Sequence, residues 1–198
     1  MRSDKSQMAY LSSLLLLLPL LLAQPLRASP LPLAPISASP LSIRGKLLPI
    51  PAAEAKATVL IFISSTCPIA NVYAAEINRI HNTYVPKGVA FRLVYTEPGI
   101  SDEDCRKHCK EYALVSPALR DPQHALVKAS GVSKTPEVAV LSASGVVRYR
   151  GRIDNRFPSL GVRRPAPTQS DLRNVLDAIL ANKRLPAIQT QAIGCFIE

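Results

Sequence analysis

Continuous apolar runs alternate along the chain with segments whose apolar residues recur every three to four positions. Residues 57–63 and 89–95 are apolar at most positions and short, which is typical of strands buried on both faces. Between them, the segment that begins at Cys67 repeats its apolar residues at helical spacing as far as Ile80. The pattern therefore predicts a strand, a helix and a second strand parallel to the first.

Further helices are predicted downstream. Residues 121–130 have the pattern of a short helix. Two longer helices carry a capping box, in which Ser or Thr is followed three residues later by an acidic residue that closes the first turn. These two are residues 101–114, with Ser101 and Asp104, and residues 168–183, with Thr168 and Asp171.

A hairpin is predicted near the end of the domain. Residues 137–142 and 146–151 are strand-like and flank Gly145, which suits a tight turn. Strands that alternate with helices imply parallel pairing and helices on both faces, and the hairpin adds antiparallel pairing. The predicted fold class is α/β, with a central mixed sheet.

The first residues have the layout of a secretory signal peptide. Basic residues are followed by a Leu-rich run and then by small residues, within residues 1–23. The run is shorter than the ~20 apolar residues of a membrane span, so an uncleaved anchor is the lesser alternative. The expected organisation is a signal over residues 1–23, a Pro-rich linker over 24–41, a domain over 42–185 and a tail over 186–198.

The formal net charge of +10 does not indicate nucleic acid as a partner. The basic residues are scattered rather than clustered, which is typical of a solvated surface, and the predicted export argues in the same direction. The expected location is periplasmic or extracellular, with a membrane involved only if the signal stays uncleaved. Disulfides form in such compartments.

Cys67 is the foremost candidate for chemistry among the four cysteines. It lies where the first strand ends and a helix begins, and Pro68 suits the first helical turn. The positive end of the helix dipole stabilises a thiolate there, and the thiolate is the nucleophile in disulfide exchange. A buried, inert cysteine is the alternative.

Two segments resemble the thioredoxin-like superfamily, and its redoxin branch in particular. STCPIAN (65–71) is similar to the active-site segment in which a Cys opens the first helix, and GVSKTPEVAVLSASG (131–145) is similar to the segment with the cis-proline. Asp121-Pro122 matches the redoxin branch. The resemblance implies a thioredoxin-like fold over residues 42–185, with Thr135-Pro136 packed against Cys67 and the backbone of Thr135 pairing with a substrate segment.

The departures from these families decide between activities. Ala70 stands where dithiol members carry a second Cys, so a CxxC disulfide is excluded. Peroxiredoxins carry a Pro seven residues before the reactive Cys and a Thr or Ser three residues before it; here Leu60 departs from this pattern and Ser64 matches it. The Arg that polarises the peroxide in that family would fall near Thr135, where this chain has no Arg. We therefore expect an exported thiol–disulfide oxidoreductase that acts on protein or small-molecule thiols and disulfides. The alternatives are a thiol-dependent peroxidase, with Arg120 or Lys134 as substitute cation, and a non-catalytic binding or metal-carrier module.

The remaining cysteines supply candidates for the resolving thiol. Cys195 lies on the tail beside Gly194, where it is free to swing, and we predict a Cys67–Cys195 disulfide on mild oxidation. Cys105 is the alternative candidate for the resolving thiol. Cys105 and Cys109 are four residues apart on a helix, ~5–6 Å between Cβ atoms, which is too far for a disulfide between them. With His108 they form either a core face or a soft-metal site; no metal and no cofactor is expected.

Overall fold

The computed structural model describes residues 33–186 and 188–198. The predicted signal peptide and the first part of the predicted linker lie outside these residues. Strands and helices are numbered in chain order. The strands are β1 Ala57–Ile63, β2 Val89–Tyr95, β3 Ala118–Arg120, β4 Lys134–Thr135, β5 Glu137–Ser142, β6 Val147–Gly151 and β7 Cys195–Phe196. The helices are α1 Pro68–Tyr84, α2 Asp102–Glu111, α3 Ala125–Ser130 and α4 Asp171–Leu180, with a short 3₁₀ turn at Val85–Lys87.

Five strands form the central sheet in the order β3-β2-β1-β5-β6. The β1–β2 and β2–β3 pairs are parallel, whereas β1–β5 and β5–β6 are antiparallel. The predicted α/β fold with a mixed sheet is confirmed. Because β5 runs against β1, the carboxyl end of β1 and the amino end of β5 lie at the same edge of the sheet. This edge therefore holds both Cys67 and the Thr135-Pro136 segment.

Strand β1 separates two layers of core, because its side chains alternate between the two faces of the sheet. Val59 and Ile61 face the core that α1 and α4 cover. Leu60 and Phe62 face the core that α3 covers. All seven residues of β1 are buried, and helices on both faces explain why the strand has no polar alternation.

The segment just before the domain packs onto the hairpin. Ile36 lies within the range predicted as a linker, yet it is buried, and its backbone N–H donates to the carbonyl oxygen of Gly145 at 2.9 Å. Gly145 has a φ of +82°, and a Cβ there would overlap the carbonyl oxygen of Ile36. The described part of this segment is therefore continuous with the core of the domain.

The middle of the chain departs from the predicted boundaries. Helix α2 begins at the Ser101 cap, whose Oγ accepts from the Asp104 N–H, but it ends at Glu111 rather than at residue 114. The predicted helix over 121–130 begins only at Ala125, because Asp121 lies before it as an acceptor for its first N–H groups. Strand β3 was not predicted, since three residues carry too short a pattern.

The end of the chain also differs from the prediction. The capping box at Thr168 and Asp171 is wrong: Thr168 Oγ1 accepts from Asn155, and Asp171 forms an ion pair with Arg152 at 2.7 Å. Helix α4 begins instead after Ser170, without a side-chain cap. The tail contains β7, which was not predicted either. No helix within the described residues is long and apolar enough to cross a membrane.

Candidate active site

Cys67 is the N-cap residue of α1, immediately after the turn that follows β1. Pro68 is the first helical residue, and the carbonyl of Cys67 accepts from the N–H of Asn71 at 3.1 Å. The sulfur therefore lies at the positive end of a helix of 17 residues. Cys67 is only 1% exposed, so its thiol lies at a position suited to chemistry but is covered.

The segment Thr135-Pro136 lies directly against this thiol. The Thr135–Pro136 peptide bond is cis, as the resemblance implied. Cys67 Sγ donates to the carbonyl oxygen of Thr135 at 3.0 Å. Thr135 Oγ1 is buried and has no hydrogen-bond partner in the described part of the chain, so it is available to donate to the ionised sulfur. The carbonyl oxygen of Thr135 can accept a hydrogen bond from the neutral thiol, and its hydroxyl can donate one to the thiolate.

Cys195 reaches the same place from the tail. Strand β7 pairs with β4 in antiparallel register, with Thr135 opposite Cys195 and Lys134 opposite Phe196. Because Cys67 Sγ donates to the carbonyl of the same Thr135, this register places Cys195 beside Cys67, and both residues are free thiols. The structure thus brings all four predicted site residues together. It pairs the tail with β4 as a strand, however, whereas the sequence suggested a tail that swings freely.

The pKa values of the two thiols are shifted in opposite directions. Burial would raise the pKa of Cys67, but hydrogen bonds from the side chains of Cys195 and Thr135 and from the backbone outweigh burial and lower this pKa. Burial raises the pKa of Cys195 to about 11, and its hydrogen bond and repulsion with the Cys67 thiolate add to this effect. The pair therefore ionises first at Cys67, and that charge keeps Cys195 protonated.

Glu97 holds the turn that precedes Cys67. Its Oε1 accepts from the backbone N–H and the hydroxyl of Ser65 and from the hydroxyl of Ser64 at 3.0 Å. Its Oε2 is buried without a partner among the described residues. Sequence reasoning missed Glu97, although its place two residues beyond the end of β2 was a usable signal, because parallel strands end at the same edge as Cys67.

A buried hydrogen-bond chain supports the same turn from α2. Asn71 Nδ2 donates to the carbonyl of Ser65 at 3.1 Å, so its Oδ1 must accept from His108 Nε2 at 2.9 Å. The other ring nitrogen of His108 then accepts from the hydroxyl of Tyr95 at 2.7 Å, and Cys109 Sγ donates to that hydroxyl at 3.2 Å. His108, considered above as a metal ligand, is a neutral link in this chain.

Helix α2 carries the residues considered as an alternative resolving thiol, Cys105, and as a metal site, Cys105, His108 and Cys109. Cys105 is 0% exposed, and burial raises its pKa to about 12. Burial also raises the pKa of Cys109. Within residues 33–186 and 188–198, no cluster of three or more His, Cys, Asp or Glu side chains is arranged to hold a metal ion.

The two candidate cations for peroxide activation are both committed to other partners. Arg120 Nε forms an ion pair with Asp102 at 2.6 Å. Lys134 Nζ donates to the carbonyl of Ala192 at 3.3 Å and lies 4.9 Å from the ring centre of Phe196. The structure therefore does not direct either positive charge at Cys67.

Comparison with solved structures identifies the class of fold. An uncharacterized conserved protein from Geobacillus kaustophilus superposes with a TM-score of 0.74 at 28% identity, over 85% of this chain and 92% of that one. The thioredoxin domain of a thiol–disulfide oxidoreductase from Bacteroides vulgatus gives 0.51 at 13% identity, over 60% and 86%. A secreted disulfide oxidoreductase from Mycobacterium tuberculosis, homologous to E. coli DsbE, gives 0.50 at 16% identity, over 73% and 95%.

These similarities establish a thioredoxin-like fold for this chain. No family model matches the sequence, and no curated protein matches it either. The activity must therefore be argued from the residues at the sheet edge.

Proposed function

We propose that this protein is an exported thiol–disulfide oxidoreductase, with Cys67 as the attacking thiolate and Cys195 as the resolving thiol. The observation that carries the proposal is that two free thiols meet at Thr135, whose carbonyl accepts from Cys67 Sγ and whose register partner is Cys195. The lowered pKa of Cys67 and the raised pKa of Cys195 agree with this arrangement. Two inert core cysteines would both have raised pKa values, as Cys105 and Cys109 do.

The opposite pKa shifts of Cys67 and Cys195 determine which thiol attacks first. The Cys67 thiolate attacks one sulfur of a substrate disulfide, forms a mixed disulfide and releases the other substrate sulfur as a thiolate. This step removes the negative charge from Cys67, so the repulsion that kept Cys195 protonated disappears. Cys195 then loses its proton to solvent and attacks Cys67 Sγ, which expels the second substrate thiolate.

The products of one cycle are a Cys67–Cys195 disulfide and a substrate reduced by two electrons. The reverse sequence, in which the protein disulfide accepts two electrons from a substrate dithiol, uses the same atoms. In both directions the resolving bond joins Cys67 at the start of α1 to Cys195 on β7, which β4 holds in place through the pairing of Thr135 with Cys195. Ala70 is buried at the first turn of α1, where a dithiol member has its second Cys.

Three observations support export and the choice of substrate class. Residues 1–23 have the layout of a signal peptide. The Mycobacterium tuberculosis protein of the same fold is secreted and is a disulfide oxidoreductase. The edge at Thr135 pairs with an extended segment of the chain itself, and a backbone edge of this kind favours a polypeptide substrate.

The test is disulfide exchange by the purified protein, followed by peptide mapping. We expect turnover in a coupled insulin-reduction assay, its loss in Cys67→Ser, and a trapped mixed disulfide in Cys195→Ala. Cys105→Ala is the matched control, because it removes the rival thiol and should still yield the Cys67–Cys195 linkage on oxidation. Full turnover in Cys67→Ser, or a Cys67–Cys105 linkage as the main oxidised product, would refute the assignment.

A further inference from the structure

The last residues of the chain lie on the edge that faces Cys67. We call residues Gly194–Ile197 the tail strand. Strand β7, its central part, pairs with β4, and beyond it the N–H of Ile197 donates to the carbonyl of Ser133 at 3.0 Å. The tail strand therefore uses the backbone groups of residues 133–135 that an extended ligand at this edge would need.

Gly194 lets the two backbones approach closely. A Cβ at this position would overlap the carbonyl oxygen of Thr135 and lie 3.2 Å from the backbone nitrogen of Pro136. These are backbone atoms at the active-site edge, so they have little freedom to move aside. Any larger residue at 194 must push the tail strand away from Thr135.

The remaining contacts of the tail strand are few. Phe196 is 71% exposed and meets the ammonium group of Lys134, and Ile197 packs at the margin of the core. Segments with few buried apolar contacts open locally at low free energy. Cys195 adds one contact with the main core, so the tail strand is held mainly by backbone pairing, and we expect it to open at a lower free energy than the domain.

Cys67 is covered while the tail strand is in place. Cys67 is 1% exposed, and its sulfur lies 3.0 Å from the carbonyl oxygen of Thr135, the residue that pairs with Cys195 of the tail strand. A substrate sulfur must come within about 3–3.5 Å of Sγ in a defined direction. The closed arrangement leaves no such approach, since the sulfur is already enclosed by β4 and the tail strand.

We propose that the tail strand is a gate that competes with the substrate for the edge formed by residues 133–135. Opening of the gate exposes Cys67 and the edge, so that an extended polypeptide can form the mixed disulfide. When the tail strand pairs with β4 again, it displaces the polypeptide segment from the same backbone groups. This movement also brings Cys195 to the mixed disulfide between Cys67 and the substrate, which Cys195 then breaks. The gate itself is a property of the fold, whereas its part in turnover rests on the proposed function.

The test measures access to Cys67 without using activity. Reduced protein is alkylated with iodoacetamide over a range of pH, modification of Cys67 is followed by peptide mass spectrometry, and the rate constant is taken on the plateau where Cys67 is fully ionised. We expect removal of residues 194–198, and separately Gly194→Val, to raise this plateau rate constant by about tenfold or more, because local opening no longer limits access. Cys195→Ser keeps the backbone pairing and should stay within about twofold of the unaltered protein.

Gly99→Ala is the matched control for Gly194→Val. A Cβ at Gly99 meets no atom within 4 Å, so this variant should leave the plateau rate constant unchanged. Phe196→Ala removes one exposed side chain, cannot unfold the core, and should give a smaller increase. Plateau rates equal to that of the unaltered protein in Gly194→Val, Phe196→Ala and the shortened chain would overturn the gate.

The two proposals fail separately. Faster alkylation in the tail variants, together with no disulfide exchange by any form, would leave the gate and remove the enzymatic role. Disulfide exchange by the unaltered protein, together with unchanged alkylation rates, would keep the oxidoreductase and remove the gate.

Discussion

Replacement of Cys195 by alanine tests what lowers the pKa of Cys67. The hydrogen bond from the Cys195 side chain is the largest of the contributions that lower it, against burial, which raises it. An alanine side chain cannot donate a hydrogen bond, while Thr135 and the backbone donors remain. The pKa of Cys67 should therefore rise in Cys195→Ala.

The size of the effect follows from the energy of a charge-assisted hydrogen bond. Such a bond contributes about 1.5–3 kcal/mol, and each ~1.4 kcal/mol changes an ionisation constant tenfold. The fraction of Cys67 present as thiolate below its pKa should fall by about tenfold or more in the variant. Loss of the covering side chain works in the opposite direction, because better hydration favours the charged form.

The assay is thiolate absorbance near 240 nm as a function of pH. Cys105, with its pKa raised to about 12, ionises above the working range. Cys195→Ser is the matched control, since a hydroxyl still donates to the sulfur and should keep most of the effect. An ionisation midpoint in Cys195→Ala that is no higher than the midpoint in Cys195→Ser would show that a donor at residue 195 does not stabilise the thiolate, and the proposed order of attack would have no basis.

Three further predictions concern stability. Asp121→Ala should lower the free energy of unfolding by about 2–4 kcal/mol, because the carboxylate accepts two N–H groups at the start of α3; urea unfolding checks this, and a loss as large in Asp121→Asn would contradict the role of the charge. Tyr73→Phe should cost about 1.5–3 kcal/mol by removing the buried hydrogen bond to Asp154, at 2.5 Å, and an unchanged midpoint in thermal unfolding would refute it. Burial lowers the pKa of His108, so the unfolded chain takes up a proton first and stability should fall as pH drops below about 6.5. Unfolding measured at pH 7.5 and pH 5 should show a smaller loss in His108→Gln, and an equal loss would assign the pH dependence to other groups.

Part of the site was predictable because its chemistry depends on local order in the chain. Cys67 follows a strand that is apolar at nearly every position and precedes a helix with Pro68 at its first turn, and both features can be recognised from neighbouring residues in the sequence. The Thr135-Pro136 segment required a resemblance, since a cis bond has no periodic pattern. The meeting of these two segments follows from the antiparallel pairing of β1 with β5.

The supporting residues could not be found in this way. Glu97, Asn71 and His108 act on the turn at Ser65 through contacts that span between six and 37 positions along the chain. The same holds for Thr168, whose capping pattern was plausible but whose hydroxyl is taken by Asn155 in the folded chain. A short polar side chain binds whichever partner the tertiary fold brings near, so local spacing is a weak guide.

By itself, the sequence determined the long elements, because hydrophobic periodicity over five or more residues states which faces must be buried. It thereby determined the α/β class and the position of Cys67 at the edge of the sheet. The tertiary structure alone decided the short strands β4 and β7, since two residues form a strand only when a partner is present. The pairing of these strands places Cys195 beside Cys67 and holds the tail over the thiol. It thereby lowers the pKa of Cys67 and raises that of Cys195.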